Sequence, residues 1–72
     1  MNIKKGDKFR HFKGHIYEII TLAKDSEDLK CMVVYKNVDS GDVWVRPYDE
    51  FTSKVDKNKY PNVKEEYRFT KI

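Results

Sequence analysis

The stretch Lys8–Ile20, KFRHFKGHIYEII, decides the fold of this chain, because it combines closely spaced aromatic and basic residues with the signal of a tight turn. Gly14 follows Lys13 and supplies the positive φ that a short connection between antiparallel strands needs. On both sides of this turn, apolar side chains recur with the short period of strands. The stretch therefore predicts a β-hairpin with strands at Lys8–Phe12 and His15–Lys24.

The second predicted strand is apolar on both of its faces. Alternation places Tyr17, Ile19 and Thr21 on one face and Ile20 on the other. A long strand of this kind is expected to bend across a small barrel. Side chains from one face are then expected to pack in the core along its first half, and side chains from the other face along its second half. A helix over Tyr17–Lys24 is the alternative, but the content of β-branched and aromatic residues favours a strand.

The rest of the chain carries turn signals and further apolar runs. Pro47 cannot donate a hydrogen bond to a sheet, so it ends the fourth predicted strand and begins a helical turn. The segment 52–64 is rich in lysine and is interpreted mostly as a loop. The predicted elements after the first hairpin are strands at Lys30–Val38, Val43–Arg46 and Glu66–Ile72, a turn at 39–42, a helical turn at Pro47–Phe51 and a possible short strand at Thr52–Val55.

These elements predict an all-β domain, a small SH3-like barrel of about five antiparallel strands with one short helical turn after the fourth strand. Closure suits a 72-residue chain with four Phe, five Tyr and one Trp, because a barrel encloses the rings and removes most strand edges. An OB-like barrel is the alternative, but it usually needs a longer chain and a helix before its fourth strand. Residues 1–72 are expected to form one domain, with 1–5 as a frayed lead-in. The predicted core contains Phe12, Tyr17, Val34, Val45 and Phe51.

Composition excludes several classes of protein. A hydrophobic fraction of 39% is too high for a disordered chain. Cys31 is the single cysteine, so it forms no internal disulfide and has no cysteine partner for a structural zinc site. No apolar run approaches the roughly 20 residues that span a bilayer, and residues 1–5 lack a signal-peptide pattern. We therefore expect a cytoplasmic protein that does not bind a membrane.

The titratable residues do not form a catalytic or metal-binding pattern. His11 and His15 are the only histidines, which is too few ligands for a metal site without further cysteines. The three glycines are scattered, so no phosphate loop or cofactor motif is present. No catalytic residue, metal or cofactor is predicted, and we do not expect an enzyme. A small-metabolite enzyme acting through His11 is the least favoured reading.

A basic and aromatic face is the most informative functional feature. Guanidinium groups beside rings suit planar or anionic ligands, although in a small domain they often only cover ring edges. We expect a non-catalytic binding module that contacts nucleic acid or another anionic or aromatic ligand; the alternative is a protein interaction or self-association module. The net charge of +3 is too small to decide between them. The predicted ligand-binding residues are Arg10, His11, Lys13, Tyr35, Trp44 and Arg46.

The late segment of the chain adds further positive charge. Such a run suits a phosphate backbone but is more often a solvated loop. The lysines concerned are Lys54, Lys57, Lys59 and Lys64.

Four blocks of sequence carry a resemblance to a known family. They are RHFKG at positions 10–14, VVY at 33–35, WVRP at 44–47 and Phe51. With these blocks the chain, from Gly6 to Ile72, resembles a family of short bacterial domains of unknown function. The resemblance implies a compact β-rich domain, found alone or joined to other domains, and implies no established activity or catalytic residue.

Overall fold

Residues 2–72 are described by a computed structural model, in which five strands form one antiparallel sheet in the order β4-β3-β2-β1-β5. The predicted five antiparallel strands, and the helical turn after the fourth, are confirmed. The predicted short strand at Thr52–Val55 is reduced to one isolated bridge between Lys54 and Tyr67. The elements are β1 Lys8–His11, β2 Ile16–Lys24, β3 Cys31–Asn37, β4 Val43–Pro47, α1 Tyr48–Phe51 and β5 Phe69–Lys71.

The sheet is open, so the expected closure into a barrel is not what the structure shows. β4 pairs with β3 and β5 pairs with β1, which leaves these two strands at opposite edges. β5 has only three residues, too few to bridge to the other edge while it is paired with β1. α1 covers the core instead, since its Phe51 is fully buried.

Turn chemistry fixes both predicted hairpins. Gly14 has a φ of 103° between β1 and β2, and Gly41 has a φ of 78° between β3 and β4. Glycine adopts this left-handed region without the steric penalty of a side chain. The Gly14 N–H donates to the carbonyl of His11 (2.7 Å), which closes the first turn.

A β-bulge in β2 changes which side chains face the core. Ile19 pairs with Tyr35 and Thr21 pairs with Val34, so Ile20 is an extra residue in β2. A bulge reverses the alternation beyond it. The prediction that Thr21 shares a face with Ile19 is therefore wrong. The strand was also predicted to turn first one face and then the other toward the core, and the bulge is the cause of that change.

The core is a cluster of rings and branched side chains on one face of the sheet, here called the inner face; the opposite face is the outer face. Phe51 stacks on Phe69 with ring centroids 4.0 Å apart, and Phe9 meets Phe51 edge to face at 5.3 Å. Such ring pairs add to the free energy gained from burying their area. The cluster contains Ile3, Phe9, Ile19, Val33, Tyr35, Phe51 and Phe69.

The predicted core is correct in part. Phe51 is buried, and Tyr17 packs against the cluster while half-buried. Val34 is only half-buried, because its sequence neighbour Val33 occupies the inner face, and Phe12 is half-buried in the turn after β1. Val45 is 59% exposed, so its assignment to the core is wrong. It lies on the outer face of an edge strand, where one side has no neighbouring strand.

The segment before β1 is held to the sheet. Ile3 is buried in the core, and the Gly6 N–H donates to the carbonyl of Ile19 (2.8 Å). The Ile19 N–H in turn donates to the carbonyl of Asp7 (2.8 Å). The expected fraying of 1–5 stays a prediction, and Met1 lies outside the described residues.

Candidate functional site

A pocket of about 300 Å³ lies where the β1–β2 turn, the end of β4 and the segment before β5 meet. Its size is at the lower end of the range for small-ligand sites. It is therefore suited to one compact group rather than to a long ligand. The lining residues are His11, Phe12, Lys13, Arg46, Val55, Asp56, Lys59, Tyr60 and Arg68.

Backbone hydrogen bonds place Arg68 at the floor of this region. The Arg68 N–H donates to the carbonyl of Ser53 (3.0 Å), and the Arg68 carbonyl accepts from the N–H of Phe12 (3.0 Å). The next residue, Phe69, pairs with His11 across β1 and β5. Arg68 is therefore fixed between the β1–β2 turn and the segment that follows α1.

Four side chains with permanent positive charge line the pocket: Lys13, Arg46, Lys59 and Arg68. Asp56 is the one carboxylate in the lining, and its Oδ1 accepts the backbone N–H groups of Asn58 (3.0 Å) and Lys59 (3.4 Å). The ion pairs within residues 2–72 lie elsewhere, between Lys54 and Glu66 and between Lys71 and Asp7. The pocket thus carries positive charge that no side-chain ion pair neutralises in the described part of the chain.

His11 is a neutral hydrogen-bond donor at the edge of the pocket. Its Nδ1 accepts the N–H of Lys13 (3.1 Å), so the neutral ring carries its proton on Nε2. Desolvation, followed by the positive charges of Lys13, Arg46 and Arg68, lowers the pKa of His11 from 6.5 to about 4. The ring is therefore uncharged near pH 7 and offers its Nε2–H to an acceptor.

The two arginines of the pocket differ in how they are held. Arg46 Nε donates to the hydroxyl of Tyr35 (3.3 Å), a side chain that is 4% exposed. Arg68 Nε is buried and has no hydrogen-bond partner among residues 2–72. Buried polar groups are normally paired, and an unpaired charged group is especially costly. Arg68 Nε is thus a donor without an acceptor beside a pocket with excess positive charge.

Two aromatic rings form one wall of the pocket. Phe12 and Tyr60 meet edge to face with centroids 5.0 Å apart. Lys13 Nζ lies 5.3 Å from the centroid of Tyr60, and Lys59 Nζ lies 5.5 Å from it. Hydrogen bonding from Lys13 is the main cause that lowers the pKa of Tyr60. These contacts hold both ammonium groups at the mouth of the pocket.

Three of the six predicted ligand-binding residues, His11, Lys13 and Arg46, meet in the pocket. Tyr35 is buried outside the pocket lining, and its hydroxyl accepts a hydrogen bond from Arg46 Nε. Trp44 pairs with Tyr35 on the inner face of β4 and is 53% exposed, outside the pocket lining.

Arg10 lies on a different side of the sheet from the other five predicted ligand-binding residues. Its neighbour Phe9 is buried on the inner face, so alternation places Arg10 on the outer face, where it is exposed. The sequence did not resolve which face of this strand looks inward. Arg10 is therefore separated from the pocket by the sheet itself.

Six lining residues were not among the predicted ligand-binding residues: Phe12, Val55, Asp56, Lys59, Tyr60 and Arg68. The lysine-rich composition of 54–64 indicated the positive charge of this segment but not where it folds. Arg68 stands between Tyr67 and Phe69, the same arginine-beside-ring pattern that selected Arg46. That pattern was the available signal for it.

Taken as a class, the fold and the pocket define a small all-β domain with a basic cleft at the rim of an open sheet. The model of a family described as "Protein of unknown function (DUF1653)" matches residues 7–71, and the chain belongs to that family. Membership confirms the resemblance to a domain family of unknown function. No curated protein and no solved structure matches the chain.

No helix within residues 2–72 is long and apolar enough to cross a membrane. In the same part of the chain, no three His, Cys, Asp or Glu side chains are grouped so that they could hold a metal ion.

Proposed function

We propose that this domain is a non-catalytic binding module whose pocket holds a phosphate group of a single-stranded nucleic acid. One observation carries the proposal. Lys13, Arg46, Lys59 and Arg68 surround a single pocket without an ion pair in residues 2–72, and its one carboxylate already accepts two backbone N–H groups. A phosphate supplies the missing negative charge.

The donors around the pocket suit an oxyanion. Guanidinium groups form strong, directional hydrogen bonds with phosphate oxygens, and the charge assists each bond. Arg68 Nε needs an acceptor, and the neutral ring of His11 offers Nε2–H without adding repulsion. Desolvation is the main cause of the depressed pKa of His11, and the nearby positive charges of Lys13, Arg46 and Arg68, which would attract the anion, lower it further.

Aromatic side chains near the pocket favour nucleic acid among phosphate-bearing ligands. Phe12 and Tyr60 line the pocket itself. Trp44 is half exposed on the same face of β4 as Arg46, since the two are separated by one residue. Bases stack on exposed rings while basic side chains contact the backbone, which is the usual basis of single-strand binding.

A catalytic role has little support. His11 Nδ1 is occupied by the N–H of Lys13, so no carboxylate orients the ring as in a nucleophile and base pair. Cys31 is exposed at the start of β3 and is not in the pocket lining. We therefore propose binding without chemistry.

The test is a fluorescence anisotropy titration of a labelled single-stranded oligonucleotide with the wild-type domain and three charge variants. Arg46→Gln and Arg68→Gln each remove a pocket cation, and Arg10→Gln removes the same charge from the outer face. We expect each pocket variant to weaken binding by about tenfold, because a charge-assisted hydrogen bond is lost. Each should also lower the slope of log Kd against log salt by about 0.7. Arg10→Gln should change Kd by less than about twofold.

Two outcomes contradict the proposal. Equal weakening by all three variants would indicate diffuse attraction to the whole surface. Absence of binding at low salt would remove nucleic acid as the ligand and direct the search to a protein that presents a phosphate or carboxylate to the pocket.

A further inference from the structure

The two edges of the sheet differ in how well they are protected against pairing with another strand. On β4, Val43, Trp44 and Val45 are 61%, 53% and 59% exposed. On the other edge, β5 has only three residues, and its Lys71 forms an ion pair with Asp7 (3.3 Å). Short length and lysine are the usual protections of an edge strand. The Val43–Val45 stretch has no lysine, proline or bulge.

Backbone groups of β4 point out of the sheet at this edge. The Asn37 N–H donates to the carbonyl of Asp42 (2.9 Å), so the Asp42 carbonyl is directed toward β3. Backbone groups alternate in direction along a strand. Val43 and Val45 therefore direct their N–H and C=O groups away from β3, where the described chain has no further strand.

We propose that β4 pairs antiparallel with β4 of a second copy of this chain, with Trp44 at the centre of the register. In this register Val43 of each copy lies opposite Val45 of the other copy. Each of these two pairs exchanges two hydrogen bonds between backbone N–H and C=O groups, which gives four in total. Trp44 faces Trp44 in a non-hydrogen-bonded pair, where side chains approach most closely. Asp42 faces Arg46 of the second copy on each side, so opposite charges meet at both ends.

The side chains needed for these ion pairs share one face. Trp44 and Arg46 are separated by one residue and project from the same side of β4. Asp42 directly precedes β4, and its hydrogen bond with Asn37 continues the pairing of β3 and β4, which places Asp42 on that side as well. Arg46 is bound to the Tyr35 hydroxyl through Nε only, and its terminal amino groups have no partner within residues 2–72. The guanidinium therefore has enough N–H donors for a phosphate oxygen in the pocket and for Asp42 of the second copy.

Registers whose centre is shifted by one residue in either direction lose backbone hydrogen bonds of the register centred on Trp44. Centring on Val45 sets Val43 opposite Pro47, which has no N–H to donate. Centring on Val43 sets Val45 opposite Gly41, whose N–H is already bonded to the carbonyl of Asn37 (2.8 Å). A pairing centred on Trp44 is also two-fold symmetric, so it closes as a dimer and does not continue into a fibre.

Sedimentation equilibrium of the whole chain from micromolar to millimolar concentration tests this inference. The mass is expected to rise with concentration from 8.6 kDa toward twice that value. Asp42→Arg and Arg46→Asp should each weaken association by about tenfold, because like charges then meet across the pair. The double variant D42R/R46D should restore it.

Proline substitutions on the two edges provide the matched control. Val45→Pro removes an N–H that points away from β3, so the monomer should fold while the dimer is lost. Lys71→Pro changes the other edge. The Ile72 N–H donates to the carbonyl of Lys8 (3.0 Å), so alternation directs the Lys71 N–H outward as well. Association should persist in Lys71→Pro.

Three results overturn the inference: a monomer at every concentration, association that survives Val45→Pro in a folded chain, or failure of D42R/R46D to restore what the single variants lose. The double variant also separates this inference from the proposed function. It should regain the dimer while its oligonucleotide binding stays weak, because the pocket has lost the positive charge of Arg46.

Discussion

The hydrophobic core and the basic pocket are adjacent but differ in their content of charged side chains. Phe69 belongs to the core and Arg68, the residue before it, lines the pocket. The core contains no buried polar or charged residue within 2–72, whereas the pocket gathers four cations and leaves a buried Arg68 Nε unpaired. The difference indicates that the core supplies the stability of the domain, while the pocket reduces stability and is suited to a ligand.

The largest expected effect is in the core. Phe69→Ala removes a ring that is 1% exposed and stacked on Phe51, and should cost about 3–5 kcal/mol of unfolding free energy. A domain of this size has about that much stability in total. We therefore expect Phe69→Ala to be largely unfolded by circular dichroism at room temperature. A folded Phe69→Ala with an unchanged urea midpoint would contradict the account of the core.

Substitution of Arg68, the residue before Phe69, should leave the unfolding free energy unchanged or raise it. Arg68→Gln relieves charge repulsion and a buried unpaired donor, so its unfolding free energy should equal or exceed that of the wild type by up to about 1 kcal/mol. Sulfate should raise the urea midpoint of the wild type, because an anion bound to the folded state stabilises it. Sulfate should raise that of Arg68→Gln less. A loss of stability in Arg68→Gln would show that the pocket is part of the structural framework.

Acidification should lower the unfolding free energy through His11, whose pKa is depressed by desolvation and by the positive charges of the pocket. Its pKa is about 4 in the folded chain and 6.5 when unperturbed, so between these values the unfolded state binds more protons. Stability from this group is complete above pH 6.5 and is lost as pH falls toward 4. The difference in unfolding free energy between wild type and His11→Gln should follow this trend, because contributions common to both chains cancel. A difference that does not change with pH would contradict the depressed pKa.

The smallest expected effect is on the outer face. Arg10→Gln changes an exposed side chain with no ion pair within the described residues, so the unfolding free energy should stay within about 0.5 kcal/mol of wild type. Urea titration measures this directly. A larger change would mean that the outer face also contributes to the folded state.

Much of the fold could be predicted from local signals. The turns at Gly14 and Gly41, the apolar run of β3 and the helical turn after Pro47 are set by short stretches of sequence. Whether the sheet closes depends instead on long-range packing. Phe51 covers the core, and β5 is too short to extend the sheet to the other edge, and neither fact is visible in periodicity.

Face assignments were the weakest part of the prediction. The predicted strand Lys8–Phe12 has a phenylalanine on each face, so alternation cannot decide whether Phe9 or Phe12 faces the core. The bulge at Ile20 inverts the second half of β2 in a way that no turn residue announces. Arg10 and His11, both predicted to bind the ligand, lie on opposite faces of β1, and only His11 lines the pocket.

Four of the nine lining residues lie in 52–64, a segment without a periodic pattern. Lys59 and Tyr60 reach the pocket because the loop after α1 folds on itself, with Lys57 Nζ donating to the carbonyls of Val63 (2.5 Å) and Glu65 (2.6 Å). A lysine that holds a loop and a lysine that lines a pocket look alike in a basic run. Only the tertiary fold separates Lys57 from Lys59.

The most direct test of the central claim is a heteronuclear NMR titration of the labelled domain with a short single-stranded oligonucleotide at low and moderate salt. We predict shifts at the Lys13 amide and at the Nε–H signals of Arg46 and Arg68, which diminish as salt is added. The Arg10 Nε–H signal should not move. Shifts at Arg10 that equal those at the pocket, or no shift at any salt concentration, would contradict a phosphate-binding pocket.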